Sequence, residues 1–291
     1  DRFTGDYNNK NEFLNLHELP MRVRNKRMSV VIESTYGDTS VEEINHGFFS
    51  EKVLEAIEER KTIILPVFSL GRSQEILLRL KELQDTNKLD VNIPIYFDGK
   101  LAQAYTALYC NSKILIDESK KDFFPRNLVA VNCEIREKLL QTDDCKIIVT
   151  TSGMGTYGPA QVYIPYFISK ENALILFTGY TAEGSFGANL RNAEEGEIVK
   201  VGGLICKKFA DVSYCNEFSA HAKSEELIEL LKKFNNLRGV LINHGQTETK
   251  DAFAEKILKE IDISEVGILN REYFFRIGSY GIIKTLSTKF K

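Results

Sequence analysis

Short apolar runs alternate with stretches of helical spacing along most of this chain. The runs at 30–32, 62–67, 93–97, 146–149, 173–177 and 239–242 are nearly unbroken, as strands buried on both faces are. Between them, apolar residues recur at helical intervals over 41–59, 74–83, 225–234 and 250–261, which predicts helices. Strands and helices in this order predict an α/β layered architecture. The stretch 273–286 alternates aromatic and aliphatic residues around Gly278 and Gly281 and reads as a final hairpin. No repeat, low-complexity tract or long linker interrupts the pattern, so a second domain would be an insertion rather than a tethered neighbour.

The polar residues at the ends of these runs carry the chemistry. Phe3-Thr4-Gly5 leads to Asp6, and 30–32 leads to Glu33-Ser34-Thr35-Tyr36-Gly37. The run 146–149 leads to Thr150-Thr151-Ser152-Gly153-Met154-Gly155, 173–177 to Thr178-Gly179-Tyr180, and 239–242 to Asn243-His244-Gly245. In α/β sheets, ligands collect beyond the carboxyl ends of strands. A glycine there lets the backbone turn sharply or approach a ligand closely. Of the four histidines, His17 and His46 lie in polar, helix-like surroundings and read as surface residues. His244 ends an apolar run, and His221 stands in Phe218-Ser219-Ala220-His221-Ala222, ahead of a helix that Ser224 can cap. A strand-end histidine taken singly is more often a structural hydrogen-bonder than a ligand. Two of them, with acids at two other strand ends, make a candidate site, although no His-x-His or His-Glu-x-x-His pair is present.

Composition narrows the setting. The 291 residues are 43% hydrophobic, 27% charged and 10% aromatic, the profile of a soluble globular protein. No stretch approaches the roughly 18 consecutive apolar residues of a membrane span, and no charged-then-apolar leader opens the chain. The five cysteines form no Cys-x-x-Cys pair, which argues against a disulfide framework or thiolate zinc site and for a reducing cytoplasm. The formal net charge of −3 means that any nucleic-acid contact would use a local basic groove. The opening Asp1-Arg2-Phe3-Thr4-Gly5-Asp6 has no initiator Met and reads as the end of a strand already under way, as in the second half of a longer polypeptide.

Together these segments resemble the β-CASP branch of the metallo-β-lactamase superfamily, nucleases that include the mRNA 3′-end processing endonuclease. Thr4-Gly5-Asp6 is similar to the fourth motif of that family, and Glu33-Ser34-Thr35-Tyr36-Gly37 to its motif A. The segment from Pro66 through Val67-Phe68-Ser69-Leu70-Gly71-Arg72-Ser73-Gln74 to Glu75 resembles a helix opening of the inserted domain. Ser152-Gly153-Met154 and Gly179-Tyr180-Thr181-Ala182-Glu183-Gly184 resemble its glycine-rich turns. Phe218-Ser219-Ala220-His221 is similar to motif B, and Asn243-His244-Gly245 to motif C. The matches run in order from residue 4 to about residue 250. The departure is the absence of the family's His-x-His-x-Asp-His motif and of the histidine of its third motif, both of which would lie upstream of Asp6. A truncated or cleaved chain, a split protein completed by another chain, or a natural remnant would each account for it.

The resemblance implies a metallo-β-lactamase αββα sandwich, here its C-terminal part, at 1–37 and 216–291, with an inserted α/β β-CASP domain at 38–215. It implies a zinc-dependent ribonuclease acting on single-stranded RNA, with two zinc ions per intact site. Two such ions neutralise a phosphodiester and activate a water. Zinc accepts imidazole and carboxylate, so a site without cysteine is sensible. Asp6 would bridge the metals and His244 would bind one. His221 would donate a proton to the leaving oxygen, with Glu33 fixing its tautomer. Ser152, Gly153 and the amides around Gly155 could cradle a phosphate, with Gly179 in the second turn. Arg72 either contacts phosphate or solvates a helix start, and Phe177, Tyr180 and Phe186 are aromatics that could stack bases. This chain alone is expected to be inactive and to bind zinc weakly. A homodimer and a complementing N-terminal half are the expected partners. The rivals are a non-catalytic RNA-binding or scaffold protein and a small-ester or thioester hydrolase of the same superfamily.

Overall fold

A computed structural model of the chain describes residues 2–14, 17–112, 121–182, 184–201, 203–263, 265–270, 273–278 and 281–286. Its strands begin with β1 (Arg2–Phe3), β2 (Met28–Glu33), β3 (Thr62–Pro66), β4 (Ile95–Asp98) and β5 (Leu128–Ala130). They continue with β6 (Lys146–Thr150), β7 (Ala173–Phe177), β8 (Ile198–Val201), β9 (Leu204–Lys207) and β10 (Asp211–Tyr214). The last are β11 (Leu237–Asn243), β12 (Val266–Ile268), β13 (Tyr273–Gly278) and β14 (Gly281–Leu286). The helices are α1 (Met21–Arg24), α2 (Phe48–Glu58), α3 (Arg72–Asp85), α4 (Lys100–Asn111), α5 (Cys133–Leu139), α6 (Ala160–Phe167), α7 (Phe186–Leu190), α8 (Ser224–Lys232) and α9 (Thr247–Glu260).

The chain divides into two compact units. The first comprises Asp1–Asn11, Leu16–Ile44 and Ala220–Lys291, and the second Glu12–Asn15 and Asn45–Ser219. In the first unit a four-stranded parallel sheet has the order β1-β2-β11-β12. All six residues of β2 are buried, as its unbroken apolar run requires. Val30, Ile32, Val240 and Ile242 pack with Leu227, Ile228 and Leu231 of α8 and with Phe253 and Ile257 of α9. The hairpin expected at the tail is present, β13 pairing antiparallel with β14 in a register that sets Gly278 opposite Gly281. Its tip, residues 279–280, lies outside the described residues.

The second unit is built on a six-stranded parallel sheet, order β10-β7-β3-β6-β4-β5. Successive side chains of its strands divide between two cores. Ile63, Leu65, Ile147, Val149, Leu174 and Leu176 face α2, α3 and α4. Ile64, Ile148, Ile175 and Phe177 face α6 and α7. This is the period of two that a sheet covered on both faces shows. The order also contains a reversal: the chain leaves β3 for β4 on one side of β6, and leaves β6 for β7 on the far side of β3. The two connections run in opposite directions past each other on opposite faces of the sheet, α3 in one core and α6 in the other, which makes the β3/β6 pair a topological switch point.

Some element bounds differ from the pattern. The helix expected over 41–59 is a 3-10 turn at Val41–Glu43 followed by α2, because Gly47 takes a left-handed conformation (φ 90°) that breaks the run. Helix α8 is capped at Lys223 instead of Ser224: the Lys223 amide donates to Glu226 Oε2 at 2.8 Å, while Ser224 is the first helical residue. Among the described residues, no helix is long and apolar enough to cross a membrane.

Candidate active site

Three neighbouring strands of the first unit bring the expected residues together. Glu33 is the last residue of β2, the strand between β1 and β11. Asp6 follows β1, and His244 follows β11, whose Asn243 pairs with Glu33. His221 lies just before α8. Glu33 and His221 are 188 positions apart in sequence, yet Glu33 Oε2 lies 2.7 Å from His221 Nδ1. Asp6 Oδ1 lies 3.1 Å from His244 Nδ1. Asp6, Glu33 and His221 each place a ligand-type atom within 4.8 Å of the others.

The Glu33 carboxylate is buried, with its side chain 1% exposed. Burial alone would push it up, but hydrogen bonds from His221, the Tyr7 amide (2.6 Å) and the Thr35 side chain outweigh that and hold it below the usual carboxylate range. His221 moves the opposite way. Its bond to Glu33 raises it above the ordinary imidazole value, against the burial that would lower it. The pair is therefore biased toward carboxylate and imidazolium. With Nδ1 held by Glu33, the proton available for transfer is the one on Nε2.

The residues around Glu33 each serve this arrangement. Ser34 Oγ donates to the His244 carbonyl at 2.7 Å and tethers the end of β2 to the end of β11. The Tyr36 ring stands edge-on to His221, centroids 6.3 Å apart, and Lys223 Nζ lies 3.6 Å from the Tyr36 centroid. Gly37 presses on Phe253, where a Cβ would come within 2.8 Å of that side chain. His244 itself has φ 56°, a left-handed conformation that few non-glycine residues adopt. Gly245 comes next at φ 84°, where a Cβ would lie 2.7 Å from the Ser34 carbonyl oxygen. Tyr7 carries no chemistry-bearing signature in the sequence, and Ser34 stands within the motif A match without a role of its own that the sequence assigns.

A carboxylate and an imidazole set side by side are a donor pair that zinc accepts. Asp6 (60% exposed) and His244 (49% exposed) remain open to solvent and so accessible to an incoming ion. Glu33 is instead committed to His221, the Tyr7 amide and Thr35. The residues present thus fit a metal at Asp6 and His244, with Glu33 and His221 beside it. His17 and His46 are exposed, as their surroundings implied.

In the second unit the three segments expected near substrate follow adjacent strands. Ser152 and Gly153 follow β6, Gly179 follows β7, and Phe68 follows β3 between them. Ser152 Oγ accepts from the Tyr157 amide at 3.1 Å. The Gly155 amide donates to the Ser152 carbonyl, so it closes the turn and is not offered to a phosphate. Arg72 is 6% exposed, ion-paired with Glu75 at 3.1 Å and set 5.1 Å above the Phe218 ring. Phe177 (0% exposed) and Phe186 (7% exposed) are core residues and not stacking surfaces: Phe177 stacks on Tyr214, and both rings fill the space against Gly155. Tyr180 is exposed, and Glu183 of the same turn lies outside the described residues.

Comparison with known proteins places the chain in a family. Residues 73–190 match the Beta-Casp domain, and residues 209–266 match the Zn-dependent metallo-hydrolase RNA specificity domain. The chain is 34% identical over 242 residues to an RNase J-like protein of Methanocaldococcus jannaschii, covering 80% of this chain and 56% of the relative. It is 26% identical over 289 residues to the transcription termination factor FttA of Methanosarcina mazei, covering 93% and 45%. With RNase aCSPSF2 of Saccharolobus solfataricus it shares 28% over 243 residues, covering 81% and 46%. The chain thus spans about half the length of these relatives. On its ordered motifs, its fold and these matches, the chain belongs to the β-CASP branch of the metallo-β-lactamase superfamily.

Proposed function

We propose that the chain is the C-terminal part of a zinc-dependent ribonuclease that hydrolyses phosphodiester bonds of single-stranded RNA. The observation that carries the reading is the buried Glu33–His221 pair standing beside the solvent-open Asp6–His244 pair at three adjacent strand ends. The relatives named as RNases support the same chemistry. In this reading Asp6 and His244 would hold zinc together with ligands from a complementing N-terminal half, and the bound metal would supply charge neutralisation and an activated water. Glu33 holds His221 in one tautomer, and His221 Nε2–H donates to the leaving oxygen as the P–O bond breaks. Ser152 and Gly153, with Gly179 across the sheet, receive backbone phosphate. Arg72 acts there indirectly, its guanidinium anchoring the start of α3 through Glu75 and Phe218. Residues 1–37 and 216–291 form the metallo-β-lactamase part and 38–215 the insertion, a division supported by the two compact units. The reading extends to a homodimer and to a cytoplasmic setting, which the five free cysteines support.

The test is cleavage of a 5′-labelled single-stranded RNA by the chain joined to a half carrying the His-x-His-x-Asp-His motif. Zinc would be present and then chelated. Cleavage should vanish on chelation, and His221→Ala should lower it by roughly 10²- to 10⁴-fold without releasing metal. No cleavage despite two bound zinc ions would point to the small-ester hydrolase. RNA binding with neither cleavage nor zinc would point to the scaffold.

A further inference from the structure

We propose that Phe68 is a stacking platform for an unpaired nucleobase, an inference that rests on the single-stranded RNA reading above and adds a recognition residue to it. Phe68 leaves the carboxyl end of β3 at the switch point of the second unit's sheet, where such sheets take up ligands. The turns after the two flanking strands clasp one edge of its ring. A Cβ on Gly153 would lie 2.9 Å from Phe68 Cδ2, and one on Gly179 would lie 3.3 Å from Cε2. A side chain at Gly153 would displace the ring, and one at Gly179 would crowd its edge.

The backbone is held as firmly. The Phe68 carbonyl accepts from the Ser73 amide at 3.1 Å and from Ser73 Oγ at 2.8 Å, and the Val67 amide donates to Thr150 O at 2.8 Å. A side chain fixed so tightly would ordinarily be core, yet Phe68 is 36% exposed, while Val67 beside it is fully buried. Tyr180, 46% exposed, adjoins Gly179, and Ser152 adjoins Gly153. A rigid, part-exposed ring held between two turns, one carrying the Ser152 hydroxyl and the other the exposed Tyr180, suits a nucleotide: base on the ring, phosphate toward the Ser152 turn. Stacking on a fixed ring loses little conformational entropy and tolerates any base, because every base has a π-face.

The chain contains no tryptophan, so Phe68→Trp would carry a single tryptophan at the proposed contact. Emission of that variant would be followed while single-stranded oligoadenylate is added to the full chain in chelator. Binding by the unchanged chain, Phe68→Tyr and Phe68→Leu would be measured by anisotropy of labelled strand. Stacking predicts quenching in Phe68→Trp and near-unchanged binding by Phe68→Tyr. It predicts affinity weakened roughly ten- to hundredfold in Phe68→Leu, which keeps apolar bulk but lacks the π-face. Equal binding by Phe68→Leu, or saturation without quenching, would overturn this proposal and leave the nuclease reading intact. Equal weakening in Phe68→Tyr and Phe68→Leu would also overturn it, by pointing to packing on the glycines. No oligoadenylate binding by the unchanged chain would overturn the single-stranded RNA reading and this proposal with it.

Discussion

Glu33 and His221 illustrate how two opposed shifts define one state. His221 is raised by its bond to Glu33, so its share of stability is complete below the ordinary imidazole value and is lost as pH rises through the folded-state value. Glu33 is lowered despite its burial, so its share is present above the ordinary carboxylate value and is lost as pH falls through the folded-state value. The pair should therefore stabilise the chain most between about pH 4.3 and 6.5. Denaturant unfolding of the unchanged chain and Glu33→Gln across pH should show the largest gap in that window, shrinking on both sides. A gap that grows above it would contradict the assigned hydrogen bond. Neighbouring residues constrain the same state, Ser34 through the His244 carbonyl and Gly245 through its contact with Ser34.

One buried network ties three elements of the second unit together. Asp98, at the end of β4 and 1% exposed, accepts Arg136 Nε at 2.7 Å and Nη2 at 2.8 Å from α5. It also accepts the Tyr163 hydroxyl of α6 at 2.7 Å. Burial and the carboxylate together push the Tyr163 phenol far up, so it remains a donor throughout the accessible range. Asp98→Ala would leave the part-buried Arg136 guanidinium and the buried Tyr163 hydroxyl without their acceptor, at a cost of about 3 kcal/mol. Tyr163→Phe removes one donor while the bidentate pair remains, and should cost about 1 kcal/mol. Thermal or urea unfolding would rank the two, and the reverse order would show that the hydroxyl and not the ion pair carries the junction. None of this was legible in the sequence: Asp98, Arg136 and Tyr163 sit in unrelated segments and carry no shared spacing.

Metal affinity is a property of the assembled ligand set, because each added donor on a preformed site lowers the free energy of the bound ion. This chain contributes an adjacent carboxylate and imidazole, Asp6 and His244, to the proposed centre. Zinc uptake by the chain alone, followed by equilibrium dialysis, should be weak and substoichiometric at micromolar metal, and joining the complementing half should make it tight. Tight stoichiometric binding by the chain alone would require Glu33 and His221 to turn from each other toward the ion.

The order of polar residues after apolar runs singled out Asp6, Glu33 and His244 as candidates, since buried parallel strands read as unbroken runs and their loops carry function, while His221 stood out only as a histidine ahead of a helix. The α/β class came from the same alternation, as did the tail hairpin. Pairing was beyond it, because which run lies beside which is set by long-range register: Asn243 meets Glu33 only once β11 docks on β2. Exposure was beyond it too. Phe68, Phe177 and Phe186 are the same residue type beside glycine-rich turns, and only packing leaves Phe68 open while it buries the other two. A pattern along the chain records which residues prefer to leave water, but the competition for a finite interior is settled among residues that the pattern does not place together.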